Sequence, residues 1–208
     1  MARGSVEPHP EEDRTPDPAA GRRAAAVAGH TGDETTARAL LDDASPGVRA
    51  TALGALARMD AATDADVTAA LSDPVAHVRR RACEVAVAHA DIDLRPLLTD
   101  VDPMVVEAAA WALGERGEAA SDAVDDLAAV AVAHDDPLCR EAAVAALGAV
   151  GDARGLPAVL AATTDKPAVR RRAVIALTPF DGPEVTAALT RALQDRDWQV
   201  RQAAEDLS

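Results

Sequence analysis

Residues 137–148 read PLCREAAVAALG, and the chain repeats this stretch along its length. The sister stretches are PGVRATALGALA (46–57), AHVRRRACEVAV (76–87), PMVVEAAAWALG (103–114), PAVRRRAVIALT (167–178) and WQVRQAAEDLS (198–208). Aligned on the apolar residue two places after the proline position, the anchors are Val48, Val78, Val105, Cys139, Val169 and Val200, spaced 30, 27, 34, 30 and 31 residues apart. A repeat of this length marks a stack of small units, each burying its apolar face only against its neighbours.

Each unit reads as a helix pair, A then B. Helix B is the better marked. Val48, Ala52, Ala55 and Leu56 fall at i, i+4, i+7 and i+8, one helical stripe. The same stripe is Val78, Ala82, Val85, Ala86, then Val105, Ala109, Ala112, Leu113, then Cys139, Ala143, Ala146, Leu147, and finally Val169, Ala173, Ala176, Leu177. Pro46, Pro103, Pro137 and Pro167 suit a first helical turn, where a missing N–H costs nothing. Ser45, Asp102 and Asp136 stand where a side chain caps the helix. Gly117 and Gly151 suit the turn that follows it.

Helices A are expected near 34–42, 64–71, 94–99, 121–133, 154–163 and 183–194, with Asp33, Asp64, Ser121 and Asp152 as candidate caps. A short acidic turn joins A to B: Asp43, Asp73, Asp100, Asp135, Asp165, Asp195. The expected fold is all-α, an α-α superhelix (solenoid) of about six helix pairs spanning 18–208. Within it, 18–30 forms a degenerate first helix and 198–208 a polar capping helix. PAAGRRAAAVAGHTGD (18–33) aligns with PLCREAAVAALGAVGD (137–152), mainly at the glycines. Residues 1–17 hold Pro8, Pro10, Pro16 and the acids Glu11, Glu12 and Asp13, and read as a disordered tail with little to bury.

The formal net charge is −14, a field that repels phosphate and disfavours nucleic acid and anionic lipid. With one Phe, two Trp and no Tyr, the chain has few platforms for stacking bases. No apolar run is long enough for a membrane span, and the first residues lack the apolar stretch of a secretory signal. A cytoplasmic protein is expected. Cys83 and Cys139 fall inside repeat helices, and a cysteine there behaves as a small hydrophobe.

The pattern L-x-D…P-x-V-R…A…A-L-G resembles HEAT repeats, specifically the short HEAT-like repeats of the phycobilisome-lyase type. It is carried by Leu41, Asp43, Pro46, Val48, Arg49, Ala52, Ala55 and Leu56, and by Pro137, Arg140, Ala143, Ala146, Leu147 and Gly148. The resemblance implies about six HEAT-like pairs with one face of helix B lining a concave surface. It does not imply one activity, because similar repeats serve scaffolds, chromophore lyases, a metal-dependent hydroxylase and a DNA glycosylase.

Two charge registers run through the repeat. Arg49, Arg79, Arg140, Arg170 and Arg201 directly follow the anchor, and repeat three has Val106 there. A ladder is expected, each Arg bridging turn carboxylates of its own or the adjacent repeat with its planar fork. The next two positions read Ala50–Thr51, Arg80–Arg81, Glu107–Ala108, Glu141–Ala142, Arg171–Arg172 and Gln202–Ala203. One turn on lie Gly54, Glu84, Trp111, Ala145, Ile175 and Asp206. By the resemblance, the inner surface carries Arg80, Arg81, Glu84, Glu107, Trp111, Glu141, Arg171 and Arg172.

The hydroxylases built from such repeats hold iron with His-Glu pairs in this register, and here no repeat has one. The glycosylases use a basic, aromatic-lined channel, whereas Glu84, Glu107 and Glu141 stand among these arginines. No residue marks a tetrapyrrole site, and there is no G-x-S-x-G, Gly-rich phosphate loop or H-E-x-x-H. No cofactor, metal site or catalytic residue is therefore assigned. The reading is a protein-interaction scaffold or adaptor whose partner is another protein, with a lyase-like enzyme or chaperone as the alternative. Trp111 either fills a gap between helices or anchors that partner.

Overall fold

The computed structural model describes residues 17–207, so the expected tail lies outside the described residues apart from Asp17. All regular structure in the described residues is helical. Contacts divide the chain after Ala61 into two compact units.

The first unit holds α1 (Pro18–Thr31), α2 (Glu34–Ala39) with a 3-10 turn over Leu40–Asp42, and α3 (Pro46–Arg58). Helix α1 is built like a helix B. Asp17 accepts the Ala19 N–H at 2.9 Å, Pro18 starts the first turn, and Gly32 ends the helix at φ +76°. It packs against α3, where Val48, Ala52, Leu53, Ala55 and Leu56 are buried. Asp33 caps α2 by accepting from Thr36 N at 3.0 Å. Ser45 makes no capping hydrogen bond; instead Asp43 accepts the Ser45 N–H at 2.8 Å.

The second unit holds the remaining pairs. Its B layer is α5 (Ala76–Ala86), α6 (Pro103–Glu115), α8 (Pro137–Val150), α10 (Pro167–Ala176) and α12 (Trp198–Glu205), each packed on the next. Its A layer is α4 (Asp64–Leu71), a 3-10 turn (Arg95–Thr99), α7 (Val124–Ala133), α9 (Leu156–Ala162) and α11 (Pro183–Ala192). The pairs are thus α2/α3, α4/α5, 95–99/α6, α7/α8, α9/α10 and α11/α12. Every residue of the five stripes is buried, so apolar burial is what holds the repeats together.

Irregular spacings have local causes. The 27-residue interval ends in the Arg95–Thr99 3-10 turn, where Pro96 and only five residues leave no room for an α-helix. The 34-residue interval contains an extra 3-10 segment, Gly117–Ala123. Ser121 lies inside that segment and caps nothing, and the α4 cap is Thr63, one residue before Asp64, in a reciprocal box with Asp66. Asp102, Asp136 and Asp152 do cap, accepting from Met104, Leu138 and Arg154 N–H groups at 2.8–2.9 Å. Gly117 and Gly151 take φ +56° and +70°, and Asp60 holds the same register at φ +56°. Asp is among the few residues that tolerate this left-handed turn.

Candidate functional site

The arginines after the anchors form a regular device. Arg79 donates from Nε and Nη2 to both oxygens of Asp100, each at 2.7 Å, and from Nη1 to the Asp73 carbonyl at 2.9 Å. Arg140 does the same with Asp165 (2.6 and 2.7 Å) and the His134 carbonyl (2.7 Å). Arg170 pairs with Asp195 and with the Asp165 carbonyl. Each guanidinium therefore clips its own A–B turn and the turn carboxylate of the next repeat. Arg49 and Arg201 donate to the carbonyls of their own turns, Asp43 and Asp195.

The turn carboxylates have a second duty. Asp100 accepts from Asp102 N–H and Asp195 from Asp197 N–H, which fixes the start of helix B. Their Arg partners hold Asp100, Asp165 and Asp195 below the usual carboxylate range, against an opposing effect of burial. The rung between repeats three and four is missing on both sides. Val106 is buried where the Arg would stand, and His134 occupies the turn position held by Asp43, Asp73, Asp100 and Asp195, whereas repeat five has Thr164 there and places its rung carboxylate, Asp165, one residue nearer helix B. His134 Nδ1 accepts the Asp136 N–H at 3.1 Å, so it does the turn's local work.

The B-helix face next to this ladder opens into a groove of about 690 Å³ across α5, α6, α8 and α10. Of the residues expected on the inner surface, it gathers Arg80, Glu84, Glu107, Trp111, Glu141 and Arg172, and leaves out Arg81 and Arg171. Trp111 is 45% exposed. The ring is not a filler sealed between helices. Around it stand small residues, Ala108, Gly114, Ala142, Ala145, Ala146 and Ala149, and the half-exposed Leu138. A shallower depression continues past Ala145, Ala149 and Arg172 to Ile175 and Pro179.

The groove's charges are unevenly partnered. Glu84 lies 2.6 Å from Arg81 Nη1 and 3.4 Å from Arg80 Nε. Glu141 lies 3.4 Å from Arg172 Nη2. The side chains of Glu107 and Glu115 make no hydrogen bond or ion pair among the described residues. Among the described residues no group of His, Cys, Asp and Glu is placed to hold a metal ion. The two cysteines are buried free thiols. Burial pushes Cys83 up to about 12 and Cys139 up to about 11, and Cys139 donates to the Pro103 carbonyl at 3.1 Å. Neither is a nucleophile at neutral pH.

Arg116 is the structural residue that sequence reasoning missed. Its guanidinium donates to the carbonyls of Ala86 (2.7 Å), Ile92 (2.8 Å) and His89 (3.0 Å), closing the end of α5 and the loop after it. Desolvation pulls its pKa below the ordinary arginine value. A cation at a helix C-terminus has a favourable dipole interaction there. The only sequence signal was an Arg beside the turn glycine Gly117.

A family model described as HEAT repeats matches residues 68–148, 93–168 and 124–207. The chain belongs to the HEAT-repeat family. No curated protein matches the sequence. Solved structures give the fold. Escherichia coli YibA superposes with a TM-score of 0.65 at 19% identity, covering 93% of this chain and 75% of YibA. The complex of CpcE and CpcF of phycocyanin lyase from Nostoc sp. PCC7120 gives 0.59 at 23% identity, covering 97% and 79%. Kap95p, in a complex with RanGDP, gives 0.56 at 17% identity, covering 84% of this chain and 29% of Kap95p. The HEAT repeats expected from the sequence are the ones the family model matches.

Proposed function

We propose that this HEAT-repeat chain is a cytoplasmic scaffold or adaptor that binds another protein along the helix-B face. The observation that carries the reading is the open groove with Trp111 half exposed at its centre. Trp and Arg on a preformed surface supply large contact area and directional bonds, and such residues dominate interface energetics. Arg80, Glu84, Glu107, Glu141 and Arg172 supply the polar surround. The ladder supports the reading indirectly, because it spends the other arginines on holding the layers together. That two of the similar folds were solved as protein complexes adds analogy alone.

The test is affinity capture from the native host followed by the double variant Trp111→Ala, Arg80→Glu. A stoichiometric partner retained by the wild type and lost by the folded variant is the expected result. Equal capture by both overturns the choice of surface. The likeness to phycocyanin lyase favours a second reading, a groove that takes a small chromophore. Visible absorbance that co-purifies with the protein and disappears in Trp111→Ala would support it over the adaptor.

A further inference from the structure

Glu107, Trp111 and Glu115 lie at i, i+4 and i+8 of α6, so they occupy successive turns of one helix face, and all three line the groove. Resting on the adaptor reading above, we infer that this stripe seats a cationic side chain of the partner, a Lys or Arg laid on the Trp111 ring between the two carboxylates. A Trp face attracts cations through its quadrupole, most strongly for Trp among the aromatics. The flanking carboxylates add opposite charge on either side along the helix.

The charge pattern selects this occupant. Four carboxylates and two guanidinium groups line the groove. Both guanidinium groups, Arg80 and Arg172, already face glutamates, and Arg81 adds a second cation to Glu84. Glu107 and Glu115 therefore carry the unbalanced charge, and they bracket the exposed ring. The net charge of −14 steers cations toward the molecule as a whole. Beside the stripe, Leu138, Ala142 and Ala145 of α8 are apolar and line the groove. They fit an apolar residue adjacent to the cation. Arg80 and Arg172 in the lining limit how many further cations fit, so the matching segment carries one or two basic residues beside an apolar one. A long polybasic run is disfavoured.

The test uses a displayed library of random 12-residue peptides, selected on the whole chain and counter-selected on Trp111→Ala. Far-UV circular dichroism and thermal melting show whether each variant remains folded. Expected are Trp111-dependent binders enriched in Lys or Arg next to an apolar residue. Their affinity should fall about tenfold in the double variant Glu107→Gln, Glu115→Gln and weaken with salt. Trp111-dependent binders with no basic enrichment, or with unchanged affinity for the glutamine variant, overturn the cation seat and leave the groove reading standing. Binders indifferent to Trp111, or no binders, overturn the groove reading and the cation seat together.

Discussion

Arg170 and Asp195 meet through two parallel N–H···O bonds across a repeat boundary, Nε to Oδ2 at 2.9 Å and Nη2 to Oδ1 at 2.7 Å. Only 8% of the Arg170 side chain and 15% of the Asp195 side chain remain accessible. Removing one partner of such a pair leaves the other desolvated and uncompensated. Asp195→Ala should therefore cost about 2–4 kcal/mol. The loss should concentrate in α12, whose Val200, Ala203 and Ala204 pack with Val174 of α10 and Ala192 of α11. Hydrogen exchange should show α12 opening first. Asp195→Asn should cost less, because its amide oxygen still accepts from Asp197 N–H. Equal protection of α12 in wild type and Asp195→Ala would contradict the role given to this rung.

The same rungs set an acid limit. Asp100, Asp165 and Asp195 have folded-state pKa values held below the ordinary aspartate value, chiefly by hydrogen bonds from Arg79, Arg140 and Arg170. A carboxylate depressed on folding contributes stability that is complete above its unfolded pKa, near about 3.9. That stability is lost as pH falls through the lower folded value. Urea unfolding at pH 7 should find Asp100→Asn, Asp165→Asn, Asp195→Asn clearly less stable than wild type. The gap should close below about pH 4 as the wild-type carboxylates protonate. A gap that stays constant through that window would mean the pairs contribute nothing through ionisation.

Repeat three offers a converse test. Val106 stands in the Arg register and His134 in the register that holds the paired Asp100 and Asp195, so the lost rung is lost on both sides. Val106→Arg alone should destabilise, because it trades a fully buried Val for a cation with no turn carboxylate opposite. His134→Asp alone should be near neutral, since Asp keeps the bond to Asp136 N–H. Together they should rebuild the rung, with a double-mutant coupling of about 1–2 kcal/mol. Strict additivity would show that the neighbouring rungs depend on a turn shape that this boundary lacks.

The periodic part of this architecture is legible because it repeats. Val48 to Val200 mark one stripe, and chance cannot place five arginines in one register after it. The direction of the ladder was not legible. Spacing along the chain left Arg79 free to reach its own turn or the next, and only the packed geometry shows that it takes the Asp73 carbonyl and the Asp100 carboxylate together. The gap at His134 was obscured by Asp135, the neighbouring acid that fills the same place in a coarse alignment. Of the groove lining, Arg80, Glu84, Glu107, Trp111, Glu141 and Arg172 stand in the two registers read from the sequence, whereas Glu115 and Leu138 lie outside them. The exclusion of Arg81 and Arg171 was not, because two adjacent helix positions differ by about 100° and sequence does not say which one faces the groove. Arg116 has no counterpart in the sister repeats, so periodicity gave it no weight.

Close helix approach supplies the last prediction. A Cβ added at Gly148 would stand 2.7 Å from both Cα and Cβ of Ala176, on the next helix B. At Gly114 the corresponding distances to Ala146 are 3.0 and 3.2 Å. By helix propensity alone, Ala at either site should stabilise by up to about 1 kcal/mol. The neighbours are backbone and a rigid methyl, which cannot swing aside, so α8 and α10 must separate along a well-packed seam. Overpacking of that kind costs about 1–3 kcal/mol. Gly148→Ala should therefore be destabilising on balance, and Gly114→Ala nearer to neutral, in chemical denaturation at pH 7. If both variants gain stability by the propensity increment, the α6–α8 and α8–α10 seams have slack that these distances exclude.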